Sequence, residues 1–348
     1  MPQYRWLGLL LWLIALALVS WTLSHLPLED IGQSLSALGW EQWSVWALVN
    51  GLVIIIATVR WQVLLRMLGH SVGFFDLVVI KQAGQTISFI TPGPQFGGEP
   101  LQIYWLYKRT GMGIHSAVLA LGIDRFYELW INFLVLMMGV ILLLLSPGFG
   151  AHTGANNWQQ ILVLMSVLLL LLSALAYAAV RQPQLISGRL EKLSARWLSN
   201  PRLMNLDHHW HSMGADLRLA VATKKPALLK ALMLSVLVWV LIALEMWLVL
   251  GFFDITLEIS GLVLILVAMR LALLLPLPGG IGTLEASVFW SFQLLQLSPT
   301  AALAVIAIMR LRDALVLIAG LACLRVAQNG SAQATPVISM PYGKPPST

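Results

Sequence analysis

Charged side chains are scarce in this sequence of 348 residues. Asp, Glu, Lys and Arg make up 10% of the chain, whereas hydrophobic residues make up 59%. Soluble domains carry roughly 25% charged residues, and a chain with so few cannot cover a globule of this size with polar surface. The mean hydropathy of +0.83 agrees. The composition therefore excludes an ordinary soluble protein and predicts an integral membrane protein.

Cysteine and catalytic motifs are also nearly absent. The single cysteine, Cys323, cannot form a disulfide within the chain. The sequence has no Walker-type loop, no HExxH, no GxSxG and no Cys/His spacing that suits a metal. His208, His209 and His211 are clustered, but no second group of ligands accompanies them. We therefore expect no enzymatic activity, no metal and no cofactor.

Long apolar runs supply the expected membrane-spanning helices. A hydrocarbon core about 30 Å thick needs roughly 20 apolar residues per helix. Six runs approach or exceed this length, and we expect the first to be retained because no small-residue cleavage site follows it. They cover residues 6–23, 43–59, 116–145, 161–180, 300–324 and the segment between Lys230 and Phe252. The sequence thus predicts an all-α polytopic membrane protein with about six full spans.

Lysine and arginine are missing from the loops that we assign to the outer face. Residues 25–42, 147–157 and 252–258 contain no lysine or arginine, and the first and third of these loops carry acidic side chains, whereas residues 181–225 hold eight of the 21 basic residues. By the positive-inside rule, both termini and residues 181–225 are then cytoplasmic. We expect the membrane to be the cytoplasmic (inner) membrane of a bacterium.

The basic segment 181–225 mixes its charges with apolar side chains. This pattern is typical of amphipathic helices that lie on anionic lipid headgroups, so we expect these headgroups as a partner and do not expect nucleic acid. Residues 1–325 are predicted to form one transmembrane domain, followed by a disordered cytoplasmic tail over residues 326–348. The sequence leaves the oligomeric state open.

Two segments are interrupted by glycine and proline. The inner hairpin, residues 74–107, begins and ends on the cytoplasmic side, and the outer hairpin, residues 260–297, begins and ends outside. Their turns, TPGPQFGG and PLPGGIG, cannot continue a helix, and each is followed by a glutamate, Glu99 or Glu285. Non-helical backbone at membrane depth must be buried in protein or line a cavity. The pair therefore predicts re-entrant hairpins of an inverted-repeat transporter, or else short paired spans joined by tight turns.

Five basic residues fall inside apolar segments, where each costs roughly 2.5 to 3.5 kcal/mol near a helix centre. Arg125 and Arg310 each have an acid three residues later, which allows an ion pair on one helix. The glycine turns add backbone N–H donors for an anion, although Glu99 and Glu285 could instead cap their helices. The five are Lys81, Arg125, Arg270, Arg310 and Arg312. We predict a binding site for an anionic headgroup that comprises Lys81, Gly97, Gly98, Glu99, Arg125, Arg270, Gly279, Gly280, Gly282, Glu285 and Arg310.

Four short motifs resemble a known family. They are RWQVLL at residues 60–65, GGE at 97–99 with KRTG at 108–111, DRFYEL at 124–129 and PGGIGTLEA at 278–286. Together they are similar to the transmembrane region of lysylphosphatidylglycerol synthases and its stand-alone, flippase-like relatives. Where the family pattern usually has arginine, this chain has Gln95 and Gln102. The soluble aminoacyl-transferase domain of the synthases is expected to be absent.

The resemblance implies translocation of a lipid with a charged headgroup, such as an aminoacylated phosphatidylglycerol or a polyprenyl-phosphate carrier. Together with the buried cations, it predicts a flippase that moves a lipid with an anionic, phosphate-bearing headgroup through a midplane cavity between the two hairpins. A membrane enzyme or accessory subunit acting on lipid-linked intermediates is the alternative, and a scaffold for another membrane protein is a third.

Overall fold

The computed structural model describes residues 35–36, 38–91, 97–146, 155–181, 222–275 and 277–329. All of the regular structure in these ranges is helical. The helices, with one 3-10 turn at Pro278–Gly280, are α1 (Trp40–Met67), α2 (Phe74–Ile90), α3 (Glu99–Thr110), α4 (Ile114–Leu145), α5 (Ala155–Arg181), α6 (Lys225–Phe252), α7 (Ile259–Ala272), α8 (Thr283–Leu294) and α9 (Pro299–Asn329).

Four of the described helices, α1, α4, α5 and α6, are long and apolar enough to cross a membrane. The 28 residues of α1 and of α6 each extend over about 42 Å, more than a bilayer core requires. The predicted all-α membrane protein is thereby confirmed. The count of six spans is not, because residues 6–23 lie outside the described residues and α9 carries Arg310, Arg312 and Asp313 near its middle.

The helix ends that carry basic residues lie together. Leu64 and Met67 near the end of α1 pack against Ala231 near the start of α6, and Ala327 of α9 packs with Leu65 of α1 and Leu106 of α3. This end of the molecule carries Arg66, Lys108, Arg109, Lys224, Lys225 and Arg325. The opposite helix ends carry Glu41, Asp254 and Glu258. The charge asymmetry of the sequence therefore becomes an asymmetry between the two ends of the fold.

The helices of the two predicted hairpins are short. The inner hairpin consists of α2 and α3, with 17 and 12 residues, and the outer hairpin of α7 and α8, with 14 and 12 residues. Each is shorter than the roughly 20 residues needed to cross a bilayer. In the inner hairpin, Gly98 lies directly against the carbonyl oxygen of Gly84, and a Cβ at position 98 would collide with that oxygen. Most of the inner turn, residues 92–96, and Pro276 of the outer turn lie outside the described residues.

The outer turn contacts the inner hairpin. Gly279 has a φ of +57° and lies against the ring of Phe89 on α2, so that a side chain at position 279 would strike this ring. Helix α2 also packs closely along α9, where Gly320 leaves no space for a Cβ beside Thr86. The outer turn and the end of α2, about 190 residues apart in the sequence, are thus neighbours in the fold.

Candidate functional site

The first group of buried charges connects the inner hairpin to α4. Arg125 reaches Glu99 at 3.1 Å and Glu128, on its own helix, at 2.7 Å. The other carboxylate oxygen of Glu99 accepts a hydrogen bond from the backbone N–H of Gly97 at 2.7 Å. We call Glu99, Arg125 and Glu128 the first clamp. Glu99 thus caps the turn with one carboxylate oxygen and binds Arg125 with the other.

The second group repeats this arrangement between the outer hairpin and α9. Arg310 binds Oε1 of Glu285 at 2.7 Å and Oδ2 of Asp313 at 2.9 Å. The backbone N–H of Gly282 donates to Oε2 of Glu285 at 2.8 Å. Glu285, Arg310 and Asp313 form the second clamp. Both predicted pairs at i and i+3 are therefore present, and the expected capping by the two glutamates accompanies the ion pairs rather than replacing them.

A third group surrounds Asp124 on α4. Its Oδ1 accepts from Nε of Arg60 at 2.7 Å, and its Oδ2 accepts from Nζ of Lys81 at 3.2 Å. Lys81 also donates to the carbonyl oxygen of Ala57 at 3.1 Å. All three charged residues are at most 5% exposed. Lys81, which has no acid at i±3 or i±4 on its own helix, therefore finds its partner on α4.

The central cavity lies between α1, α4, α6 and α7 and has a volume of about 400 Å³. Its charged lining comprises three guanidinium groups, from Arg60, Arg125 and Arg270, and one carboxylate, from Glu128. Within the part of the chain that the structure describes, Nη2 of Arg60 and Nε of Arg125 have no hydrogen-bond partner. The lining therefore has an excess of positive charge, and two of its guanidinium groups each have one buried N–H without a partner.

Arg270 differs from the other interior cations. Its guanidinium carbon lies 4.7 Å from the centre of the Trp239 ring, a cation–π contact. Among the described residues, each of the six interior carboxylates pairs with a cation, and Arg270 is the one interior cation without a carboxylate partner. These carboxylates are Glu99, Asp124, Glu128, Glu245, Glu285 and Asp313.

A smaller side cavity of about 180 Å³ lies between α2, α4 and α9. Hydroxyl groups of Thr86 and Ser88 line it, as do Arg312 and Asp313. Arg312 is in turn held by Glu245 at 3.1 Å, and Asn50 donates to the same carboxylate at 3.0 Å. Arg125 and Glu128 line both cavities. This ion pair therefore lies between two cavities that each have charged residues in their lining.

The structure distributes the predicted site residues over these groups. Arg125 and Arg270 line the central cavity, and Glu99, Glu285 and Arg310 belong to the clamps. Gly97, Gly98, Gly279, Gly280 and Gly282 form the turns, and the carbonyl oxygens of Gly279 and Gly280 accept from Arg310 at 3.2 and 3.3 Å. Lys81 lies behind Arg60 and is not among the residues that line the described cavities.

Two features of the site were not predicted from the sequence. The second apolar run ends at residue 59, which leaves Arg60 outside the predicted span, but α1 continues to Met67 and places Arg60 inside the helix bundle. The absence of a helix breaker before Gly69 could have indicated this. The central cavity also does not lie between the two hairpin turns. Of the hairpin helices, α7 lines the central cavity and α2 lines the side cavity.

The all-helical architecture, the long apolar helices and the buried, paired charges define a polytopic integral membrane protein. The family model for the lysylphosphatidylglycerol synthase TM region matches residues 5–320. The chain belongs to this family, as the motifs of the sequence suggested.

Two archaeal proteins are similar over most of their length. A UPF0104 membrane protein of Methanothermobacter thermautotrophicus is 25% identical over 269 residues, which cover 75% of this chain and 77% of the relative. A UPF0104 membrane protein of Methanocaldococcus jannaschii is 23% identical over 271 residues, which cover 75% and 76%. No solved structure matches the chain significantly.

Proposed function

We propose that this protein is a flippase that translocates a lipid with an anionic, phosphate-bearing headgroup, and that the headgroup binds in the central cavity. The observation that carries the proposal is Arg270: it lines the cavity and has no carboxylate partner among the described residues. A cation in this position is costly within a membrane, and a cation–π contact offsets only about 0.5 to 2 kcal/mol of that cost.

Phosphate fits the chemistry of the cavity. A guanidinium group binds phosphate through two parallel N–H donors, a geometry that the ammonium of lysine cannot provide. Arg60 and Arg125 add guanidinium groups to the other walls, and each has one buried N–H without a hydrogen-bond partner in the described chain. A headgroup whose phosphate is not balanced by an ammonium group complements these walls best.

The ion pair between Arg125 and Glu128 suggests a route for the headgroup. Both residues line the central and the side cavity, so a phosphate that replaced Glu128 at Arg125 would stand at the boundary between them. The carboxylate could then return to the arginine once the phosphate had passed. Arg312, on the far wall of the side cavity, offers the next guanidinium group.

The two clamps support an inverted-repeat arrangement with re-entrant hairpins. Each clamp ties the helix after a glycine turn to an arginine with an acid three residues later, on α4 in one case and on α9 in the other. The short hairpin arms fit helices that turn back within the bilayer. In this proposal the protein is one transmembrane domain of about six spans, residues 1–325, in a bacterial inner membrane.

The charge asymmetry supports the orientation of this domain. Because basic residues favour the cytoplasmic side, the end of the fold that carries Arg66, Lys108 and Lys225 is cytoplasmic in our proposal, together with both termini. The basic segment 181–225, of which most lies outside the described residues, would bind anionic headgroups on the same face, and the tail 326–348 would follow there.

A vesicle assay tests the proposed function. The purified protein is reconstituted into phosphatidylcholine vesicles that contain dioleoyl phosphatidate, and a phosphatase added outside converts only the phosphatidate of the outer leaflet. Translocation is measured as conversion of the remaining, inner pool. We expect Arg270→Gln to slow it about tenfold, the loss of one charge-assisted contact to phosphate, and Arg270→Lys to restore part of the rate.

Arg66→Gln is the matched control, because Arg66 is an exposed arginine at the end of α1, outside both cavities. It should translocate phosphatidate at the unaltered rate. If Arg270→Gln were as fast as the unaltered protein, the headgroup role of the central cavity would be wrong. Chemical change of the lipid by the protein without phosphatase would favour the membrane enzyme instead.

A further inference from the structure

An apolar groove adjoins the central cavity. It has a volume of about 540 Å³ and lies between α4, α6 and α7. Met138, Val240, Ala243 and Val267 are among its lining residues, and the indole of Trp239 is the one side chain in the lining that carries a polar atom. Such a surface offers contact to hydrocarbon and almost no hydrogen-bond partner.

Close packing of two helices forms the floor of this groove. Gly139 of α4 faces α7 so closely that a Cβ at this position would lie 2.7 Å from Val267 and 3.3 Å from Val263. Val267 is 3% exposed, whereas Met138 and Val240 on the rim are 57% and 55% exposed. The groove is therefore a depression between helix backbones that opens sideways, toward the acyl chains of a surrounding bilayer.

Trp239 belongs to both the groove and the central cavity. One turn of α7 separates the groove-lining Leu266 and Val267 from Arg270, which lies over the Trp239 ring and lines the cavity. The cation is thus placed where the polar cavity ends and the apolar groove begins. In a lipid, a few covalent bonds likewise separate the phosphate from the first carbons of its chain.

We propose that the groove binds a hydrocarbon chain of the same lipid whose headgroup occupies the central cavity. This inference rests on the proposed function. An extended peptide segment is a poor occupant, because its backbone N–H and C=O groups would remain unpaired against apolar walls. A hydrocarbon chain in this groove slides along the protein surface during translocation instead of moving through the bulk bilayer. The rate of translocation must then depend on the length of the chain and on the free volume of the groove.

The test combines a filled groove with a shortened lipid. Ala243→Trp fills the groove from α6, and Ala174→Trp adds the same side chain at an exposed position on α5, a helix that does not line the groove. Both are compared with the unaltered protein in the phosphatase assay, using dioleoyl and didecanoyl phosphatidate. We expect Ala243→Trp to slow the oleoyl lipid about tenfold and the decanoyl lipid less than about twofold, because the shorter chain gains less from burial.

Ala174→Trp should leave both rates unaltered. Ala243→Leu, a smaller change that the bundle tolerates more easily, should slow the oleoyl lipid about threefold. Equal slowing of both lipids by Ala243→Trp, or no slowing of either, would overturn the chain site while translocation itself stands. Failure of the unaltered protein to move either lipid would overturn the proposed function and the chain site together.

Discussion

The buried group around Asp124 allows a sharp prediction about stability. Asp124 is 2% exposed and is the shared partner of Arg60 at 2.7 Å and Lys81 at 3.2 Å. Asp124→Asn leaves two cations close together in the interior without their anion. Removal of one partner from a buried ion pair typically costs about 3 to 5 kcal/mol, and we expect a loss in the upper part of this range. For a chain of this size, such a loss lowers the unfolding midpoint by about 5 °C or more.

Lys81→Met is the informative comparison. It removes the extra cation but leaves Arg60 bound to Asp124, and an apolar side chain of similar length fills the space. Because Arg60 still neutralises Asp124, no uncompensated charge is left in the interior, and we expect a loss of less than about 1.5 kcal/mol. In this group Asp124 is the residue that holds α1 and α2 against α4, whereas the second cation contributes little to stability.

Thermal unfolding of the detergent-solubilised protein, followed by size-exclusion chromatography after heating, measures both effects. Asp76→Asn is the matched control, because it makes the same chemical change at a half-exposed aspartate, which pairs with Arg109 at 3.4 Å. Surface pairs contribute about 0 to 1 kcal/mol. If Asp124→Asn lowered the midpoint no more than Asp76→Asn, the structural role of Asp124 would be refuted.

Three further changes test other parts of the fold. Gly98→Ala should destabilise the protein by about 1 to 3 kcal/mol, because its methyl group would strike the backbone of α2. Gly51→Ala is the control, since a Cβ there meets no atom within 4 Å, and it should be neutral or stabilising. Equal unfolding midpoints of the two variants would contradict the close contact at Gly98. Arg310→Gln leaves Glu285 without a cation, while Asp313 keeps its ion pair with Arg312 at 3.3 Å. It should lower the midpoint, with Arg310→Lys intermediate, and no shift would mean that the clamp is not structural. Trp239→Leu should slow translocation of phosphatidate severalfold by removing the cation–π contact, and Trp239→Phe should retain most of the rate; identical rates in both variants would reject that contact.

Local patterns in the sequence predicted the features that depend on a single helix. The pairs of Arg125 with Glu128 and of Arg310 with Asp313 follow from the helical period, and both are formed. Proline and glycine predicted the interruptions at both turns, because these residues act on the backbone at their own position. The glutamates after the turns cap backbone N–H groups for the same local reason.

Contacts between distant segments could not be predicted in this way. Lys81 has no acid nearby on its own helix, and its partner lies 43 residues further along the chain. The contact of Arg270 with Trp239 and that of Gly279 with Phe89 likewise depend on how helices pack. Arg60 was misplaced for a different reason: the positive-inside rule treats every arginine near a span end as a loop residue, although a helix can continue past it.

The interior charges are better explained by function than by stability. Replacing buried ion pairs with apolar residues of similar volume is often neutral or stabilising, so stability alone would not retain six cations and six carboxylates inside a membrane protein. The carboxylates are all bound, and each clamp holds its arginine beside a turn rather than within a plain helix. Arg270 alone has no ion-paired carboxylate in the described interior, and it lies between a cavity with charged walls and an apolar groove. In our proposal, an amphipathic anion contacts both walls at once, and paired charges that exchange partners give it a path.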